Sequence, residues 1–232
     1  MNIKKKYLTF SYDDGVTQDI RLIELFNKYG IKATFNLNSQ LLGLNGELIR
    51  EGVRVSHNKV KKQDVKYIYD GHEVAVHTLT HPNLTYSDNK NEIIYQVETD
   101  RLQLSELCGY EVLGMAYPCG GINYNLHVSE VIKNFTGIEY ARTTVSNRNF
   151  GFQKNLYEFK PTVYHYLEFE EMMRLGKLFL ELKTDKKQIF YIWGHAYEFD
   201  INNTWKQFEA FLEMMSKRDD ICYCTNREAL LF

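Results

Sequence analysis

The chain of 232 residues has only 3 prolines and no segment rich in glycine, serine or proline, so nothing in it marks a linker between domains. It is also poor in cysteine. Cys108, Cys119, Cys222 and Cys224 lack CxxC spacing and are too few to frame a disulfide scaffold of this length, so they read as reduced thiols. No apolar run approaches a membrane span, and Lys4-Lys5-Lys6 is followed by Tyr7-Leu8-Thr9-Phe10 rather than by a secretory core. The expectation is a cytoplasmic protein with no membrane partner. An excess of one charge is missing as well: 28 basic and 30 acidic side chains leave a formal charge of -2, which argues against nucleic acid as a partner. No internal repeat recurs at a fixed period, which excludes solenoid architectures. What the chain does have is 44% hydrophobic and 14% aromatic residues, enough for the core of a single domain over residues 1–232.

Short apolar runs alternate with segments of helical pattern. Strands are predicted at residues 7–12, 33–37, 73–76, 112–117, 138–141, 162–166 and 188–193. Thr17 can cap a helix carrying Ile20, Ile23 and Phe26 that stops at Gly30. A helical segment is expected between Gly46 and Glu73. Ser87 can cap a long helix with Ile93, Ile94, Val97, Leu102, Leu104 and Leu107 on its apolar face, closed by Gly109. Further helices are predicted at residues 126–134, 169–182 and 204–217. This βα alternation implies an α/β fold on a parallel sheet, open or closed into a barrel, and in either case chemistry belongs at the carboxyl ends of the strands. Asp13, Asp14, His77, Pro118 and His195 all fall just after predicted strands.

The most informative pair of segments is Leu8-Thr9-Phe10-Ser11-Tyr12-Asp13-Asp14-Gly15 and His77-Thr78-Leu79-Thr80-His81. Two imidazoles and a carboxylate suit zinc and similar ions, and three protein ligands leave a position open for water, as catalytic sites do. An HxxxH pair alone is weak, since 7 histidines give roughly 0.2 such pairs by chance. Asp-Asp-Gly is likewise a common turn that can cap the next helix. Its place at the end of an apolar strand weakens that reading, because unpaired carboxylates are costly there and a cation resolves the cost. One aspartate can then bind metal while its neighbour acts as base. His195, by itself, is more simply a satisfied histidine at a strand end, and so is His165; His57, His72 and His127 lie in polar surroundings and read as solvated.

Read together, these segments resemble the polysaccharide deacetylases of the NodB-homology type, carbohydrate esterase family 4. The family's Thr-Phe-Asp-Asp-Gly is matched by Phe10-Ser11-Tyr12-Asp13-Asp14-Gly15 with an altered lead-in, and its His-Ser/Thr-x-x-His by His77-Thr78-Leu79-Thr80-His81. Ala33-Thr34-Phe35, Ala116-Tyr117-Pro118-Cys119-Gly120 and Trp193-Gly194-His195 follow in order, so the resemblance runs from about residue 7 to residue 200. It implies a distorted (β/α) barrel in which Asp14, His77 and His81 bind one divalent metal, zinc first, with cobalt, nickel or manganese as alternatives. Asp13 would be the base, His195 the acid, and Tyr117 and Cys119 would lie at the substrate and oxyanion position. The implied reaction removes an N-acetyl or O-acetyl group from an amino sugar or glycan. The family's Arg-x-Pro-Tyr departs here, with Ala116 for Arg and Cys119 for Tyr; Arg142, after the next predicted strand, can supply the lost cation. The family's acid-tuning Asp has no counterpart between Tyr140 and Pro161. Glu198 or Asp200 can stand in, and either is equally an ordinary loop carboxylate. An amidase or cyclic-imide hydrolase on the same barrel, and an inactive carbohydrate-binding barrel, are the alternatives.

Overall fold

The computed structural model describes residues 5–232. The elements in chain order are β1 (Lys6–Asp13), α1 (Asp19–Tyr29), β2 (Thr34–Leu37), β3 (Glu47–Arg50), β4 (Val53–Ser56), α2 (Val65–Ile68), β5 (Glu73–Val76), α3 (Lys90–Cys108), β6 (Gly114–Ala116), α4 (Leu126–Phe135), β7 (Tyr140–Arg142), β8 (Val163–Tyr164), α5 (Phe169–Glu181), β9 (Gln188–His195), α6 (Glu198–Asn202), α7 (Trp205–Met215), β10 (Ile221–Tyr223) and α8 (Asn226–Leu231). The main sheet runs β7-β6-β5-β2-β1-β9-β8, with β10 beside the first half of β1. Its pairings are parallel throughout.

The sheet closes on itself through an irregular segment. Phe159 donates its N–H to Ala141 O and accepts from Thr143 N, which joins the chain before β8 to β7, while β8 itself pairs with β9. That closure makes the distorted (β/α) barrel. β1 and β9 are its longest strands, and every apolar residue of both is buried apart from Tyr7, as strands covered on both faces require.

Helices cover the outside by amphipathic spacing. In α1 the buried residues are Asp19, Leu22, Ile23 and Phe26, while Ile20 is exposed; Gln18, not Thr17, is the N-cap, and Gly30 ends the helix in the left-handed conformation. In α3 the core face is Ile93, Val97, Leu104 and Cys108, with Leu102 in solvent. Its N-cap is Asn89, whose side chain accepts from Asn91 N; Ser87 instead supports that cap by accepting from Asn89 N.

The largest departure from the sequence reading lies between Gly46 and Glu73. A two-stranded hairpin, β3 and β4, fills much of a stretch expected to be helical, and a 3₁₀ turn leads into α2, a single α-helical turn. Glu51 and Gly52 both carry positive φ, 52° and 78°, the pattern of a two-residue hairpin turn. β10 and α8 were not foreseen either. The latter closes the amino end of the barrel: Asn226 accepts from Thr9 Oγ1 and donates its N–H to Thr34 Oγ1, and Arg227 N–H reaches Glu73. The opposite end is where the strand-end side chains gather.

Candidate active site and metal centre

β1 ends in Asp13 and turns sharply at Asp14, whose φ is 84°. Thr78, His81 and Cys119 also hold positive φ, so four strained non-glycine residues stand at the strand ends of one face. Such conformations persist where surroundings over-determine them, typically at functional sites. Asp14 N–H donates to Asn36 O, and its carbonyl accepts from the buried Lys59 ammonium at 2.7 Å.

The expected ligands converge. One ligand atom each from Asp14, His77 and His81 lie within 4.8 Å of one another. His77 Nδ1 sits 2.9 Å from Ala116 O, which can only accept, so that nitrogen carries the proton and Nε2 is left with a lone pair. His77 N–H also reaches Asp100, a buried carboxylate on α3 that accepts from Ser39 N as well. Burial pushes the His77 imidazole down to about 4 and also lowers that of His81, which keeps both neutral and able to ligate at neutral pH. Burial alone would raise the Asp14 carboxyl. The His57 hydrogen bond and the Lys59 charge overcome it and hold the group well below the usual range. An anionic carboxylate with two neutral, oriented imidazoles is the donor set that zinc and similar ions take, so these residues fit a divalent metal.

Asp13 lies beside this triad, with Oδ2 3.9 Å from His77 Nε2. Asn36 Nδ2 donates to its Oδ1 at 2.7 Å. Arg142 Nη2 donates to Oδ2 at 2.5 Å, from a guanidinium that is fully buried and lies 4.4 Å over the Trp193 ring. The cation missing at Ala116 is thus delivered from the end of β7.

His195 ends β9 directly opposite Asp13 in register, with Nε2 4.0 Å from Asp14 Oδ2. Its Nδ1 donates to Glu198 Oε1 at 3.0 Å, and its backbone N–H to Oε2 at 2.9 Å. Desolvation opposes charge on this ring, yet Glu198 outweighs it and raises the imidazole to about 9. Glu198 is itself fully buried. Although burial favours its neutral form, His195 and His165 hold it far below the ordinary carboxylate range. Tyr164 OH and Arg50 complete its shell. Asp200 is turned elsewhere, accepting from Trp205 Nε1 and Gln18. Of the two acidic candidates beyond His195, the structure therefore selects Glu198, and it is no ordinary loop carboxylate.

Other expectations are corrected. His57 is not simply solvated, since its Nε2 lies 3.1 Å from Asp14 Oδ2. His72 is buried, accepting from Ala33 N and paired with Asn27 Oδ1. His165 is the packed histidine expected, stacked on Phe199, and His127 is exposed. Tyr117 narrows in role: its hydroxyl donates to Tyr157 O and its N–H to Arg142 O, so neither is free for a ligand. Cys119 Sγ rests 3.9 Å from His81 Nδ1. Asp13, Tyr164, Trp193 and the triad line a cavity of about 420 Å³.

Known proteins carry the same arrangement of elements. An allantoinase, PuuE, superposes with a TM-score of 0.69 at 12% identity over 98% of this chain and 90% of its own. A family 4 acetyl xylan esterase from Clostridium thermocellum, solved with a cobalt ion, gives 0.60 at 11% identity, covering 97% and 90%. The deacetylase PplD of Streptococcus pyogenes, solved with acetate, gives 0.53 at 17% identity over 65% of this chain; the match spans 61% of PplD, under two thirds of its length. These likenesses concern the fold. No curated protein sequence matches the chain. The family model for polysaccharide deacetylases matches residues 1–140, more than half of the sequence and the part that holds Asp13, Asp14, His77 and His81. On that match, the chain belongs to the polysaccharide deacetylase family.

Proposed function

We propose that this protein is a metal-dependent deacetylase that hydrolyses the N-acetyl group of an amino sugar or small glycan. The observation that carries the proposal is the convergence of Asp14, His77 and His81 beside an Asp13 held by Arg142. A divalent ion bound by the triad supplies Lewis acidity towards an acetyl carbonyl and lowers the pKa of a water molecule. Zinc suits the donor set best, with cobalt, nickel and manganese as substitutes.

The chain's own groups do the rest. Asn36 and Arg142 each occupy one Asp13 oxygen, which fixes the carboxylate while its remaining lone pairs take the proton of the attacking water. Backbone N–H groups around Cys119, where the left-handed turn points the chain into the cavity, receive the developing oxyanion. His195 keeps its Nδ1–H on Glu198, so the proton it gives to the departing nitrogen leaves from Nε2. The C–N bond then breaks, and acetate and a free amine result.

The test pairs metal content with acetate release from N-acetylglucosamine and chitooligosaccharides, before and after chelation. Stoichiometric metal, activity lost on chelation and regained on reloading, and an Asp13→Asn variant that binds metal without turnover are the expected results. A protein that takes up no metal under any loading condition sinks the proposal. Bound metal with no acetate would move the reaction to other amides.

A further inference from the structure

The β3–β4 hairpin stands apart from the barrel sheet and packs against α6, which follows His195. Its first strand ends in Arg50, whose side chain is one third exposed and lines the active-site cavity. Among the described residues it is the only lysine or arginine on that cavity wall. The other cations nearby are already committed, Arg142 to Asp13 and Lys59 to Asp14.

Arg50 is held but not exhausted. Nη1 donates to Glu198 Oε1 at 2.7 Å, Nη1 and Nη2 each lie 3.4 Å from Tyr164 OH, and the guanidinium stacks 4.1 Å over Tyr166. A guanidinium has five N–H donors in a planar fork. Those not used here meet no protein acceptor among the described residues. The carboxylate partner of Arg50, Glu198, is shared, since it also accepts from His195 Nδ1 and from the His195 backbone N–H.

Position then says which part of a substrate meets it. Glu198 and Arg50 lie on the Nδ1 side of His195, whereas the Nε2 side faces Asp14. Since Nε2 serves the departing nitrogen, the far side of His195 belongs to the half of the substrate that keeps the amine. A cavity of about 420 Å³ is within the size range of small-ligand sites.

We propose that Arg50 is a specificity-determining residue that binds an anionic group, a phosphate or a carboxylate, on the sugar half of an N-acetylated amino sugar. The inference rests on the deacetylase reading of the site. A planar fork on a partly dehydrated wall favours phosphate and carboxylate oxygens over hydroxyls, because charge-assisted bonds are stronger and can be bidentate.

The experiment compares N-acetylglucosamine with its 1-phosphate, its 6-phosphate and N-acetylmuramic acid, using metal-loaded wild type, Arg50→Ala and Arg50→Lys. Wild type should favour at least one anionic sugar over the neutral one by tenfold or more in kcat/KM, mainly through KM. Arg50→Ala should lower that ratio at least fivefold, and Arg50→Lys should restore part of it. Which sugar is preferred identifies the anion. Equal use of neutral and anionic sugars, or a preference that survives Arg50→Ala, overturns the inference. So does a loss that is the same for all four sugars, since a mere clamp on Glu198 would behave so. Should none of them release acetate, the deacetylase reading fails on these sugars, and calorimetric binding of the same set to the same variants decides the role of Arg50 by the same ratios.

Discussion

Replacing Glu198 by Gln keeps the shape of the side chain and removes the charge that faces His195. The imidazole stands at about 9 with Glu198 beside it, against an ordinary 6.5. At about 1.4 kcal/mol per pH unit, that difference corresponds to about 3 kcal/mol of preference for the protonated ring. Without the carboxylate the ring falls back, because burial is then opposed only by the weaker Asp14 and Asp13 charges, and the ordinary 6.5 serves as the reference for the variant. At pH 8 roughly 90% of His195 is protonated in the wild type and roughly 3% in the variant; at pH 6 both are mostly protonated. If His195 is the acid, kcat/KM for acetate release should fall about 30-fold at pH 8 and less than about twofold at pH 6. The sign for stability follows from the same shifts. A raised His195 contributes stability below its unfolded value and loses it as pH rises through about 9, while a depressed Glu198 contributes above its unfolded value and loses it on acidification. The melting-temperature gap between wild type and variant should therefore be widest between those limits and shrink outside them. A loss of activity equal at pH 6 and pH 8 would refute the reasoning and leave Glu198 with a purely structural part.

Three further outcomes test other links. Arg142→Met strands the buried Asp13 carboxylate, so unfolding should cost about 3–5 kcal/mol less by denaturant titration, and acetate release should drop below detection even where the variant folds. His57→Ala removes a hydrogen bond to the ligand Asp14, and calorimetry of zinc binding should show affinity weakened by about tenfold or more; unchanged affinity would leave His57 without a part in the site. Gly194→Ala would put a methyl group 1.9 Å from the His165 ring, which packs against Glu198 and Phe199, so both melting temperature and activity should fall; a fully stable variant would show that the ring has room to move.

Much of the site was legible because its parts are local. Asp13, Asp14, His77 and His195 each end or follow an apolar run, and a parallel sheet brings such ends to one face whatever the loops do. The β3–β4 hairpin was missed because its turn is Glu51-Gly52 rather than Asn-Gly. β10 has three residues and α8 six, and both depend on the barrel they complete rather than on local propensity.

The sequence by itself determined the alternation that builds a barrel, the carboxylate pair and the HxxxH pair, since spacing along a strand or turn already says which side chains share an end. Only the tertiary structure decided which distant groups complete them. Arg142 meets Asp13 across 129 residues because β7 and β1 direct their ends into the same closed mouth. Arg50 meets Glu198 across 148 because a free-standing hairpin leans over it, and His57 meets Asp14 across 43 just beyond the same hairpin. Glu198, only three residues from His195, needed the structure too. Local spacing offered Glu198 and Asp200 alike, and burial against His165, Tyr164 and Arg50 chose between them.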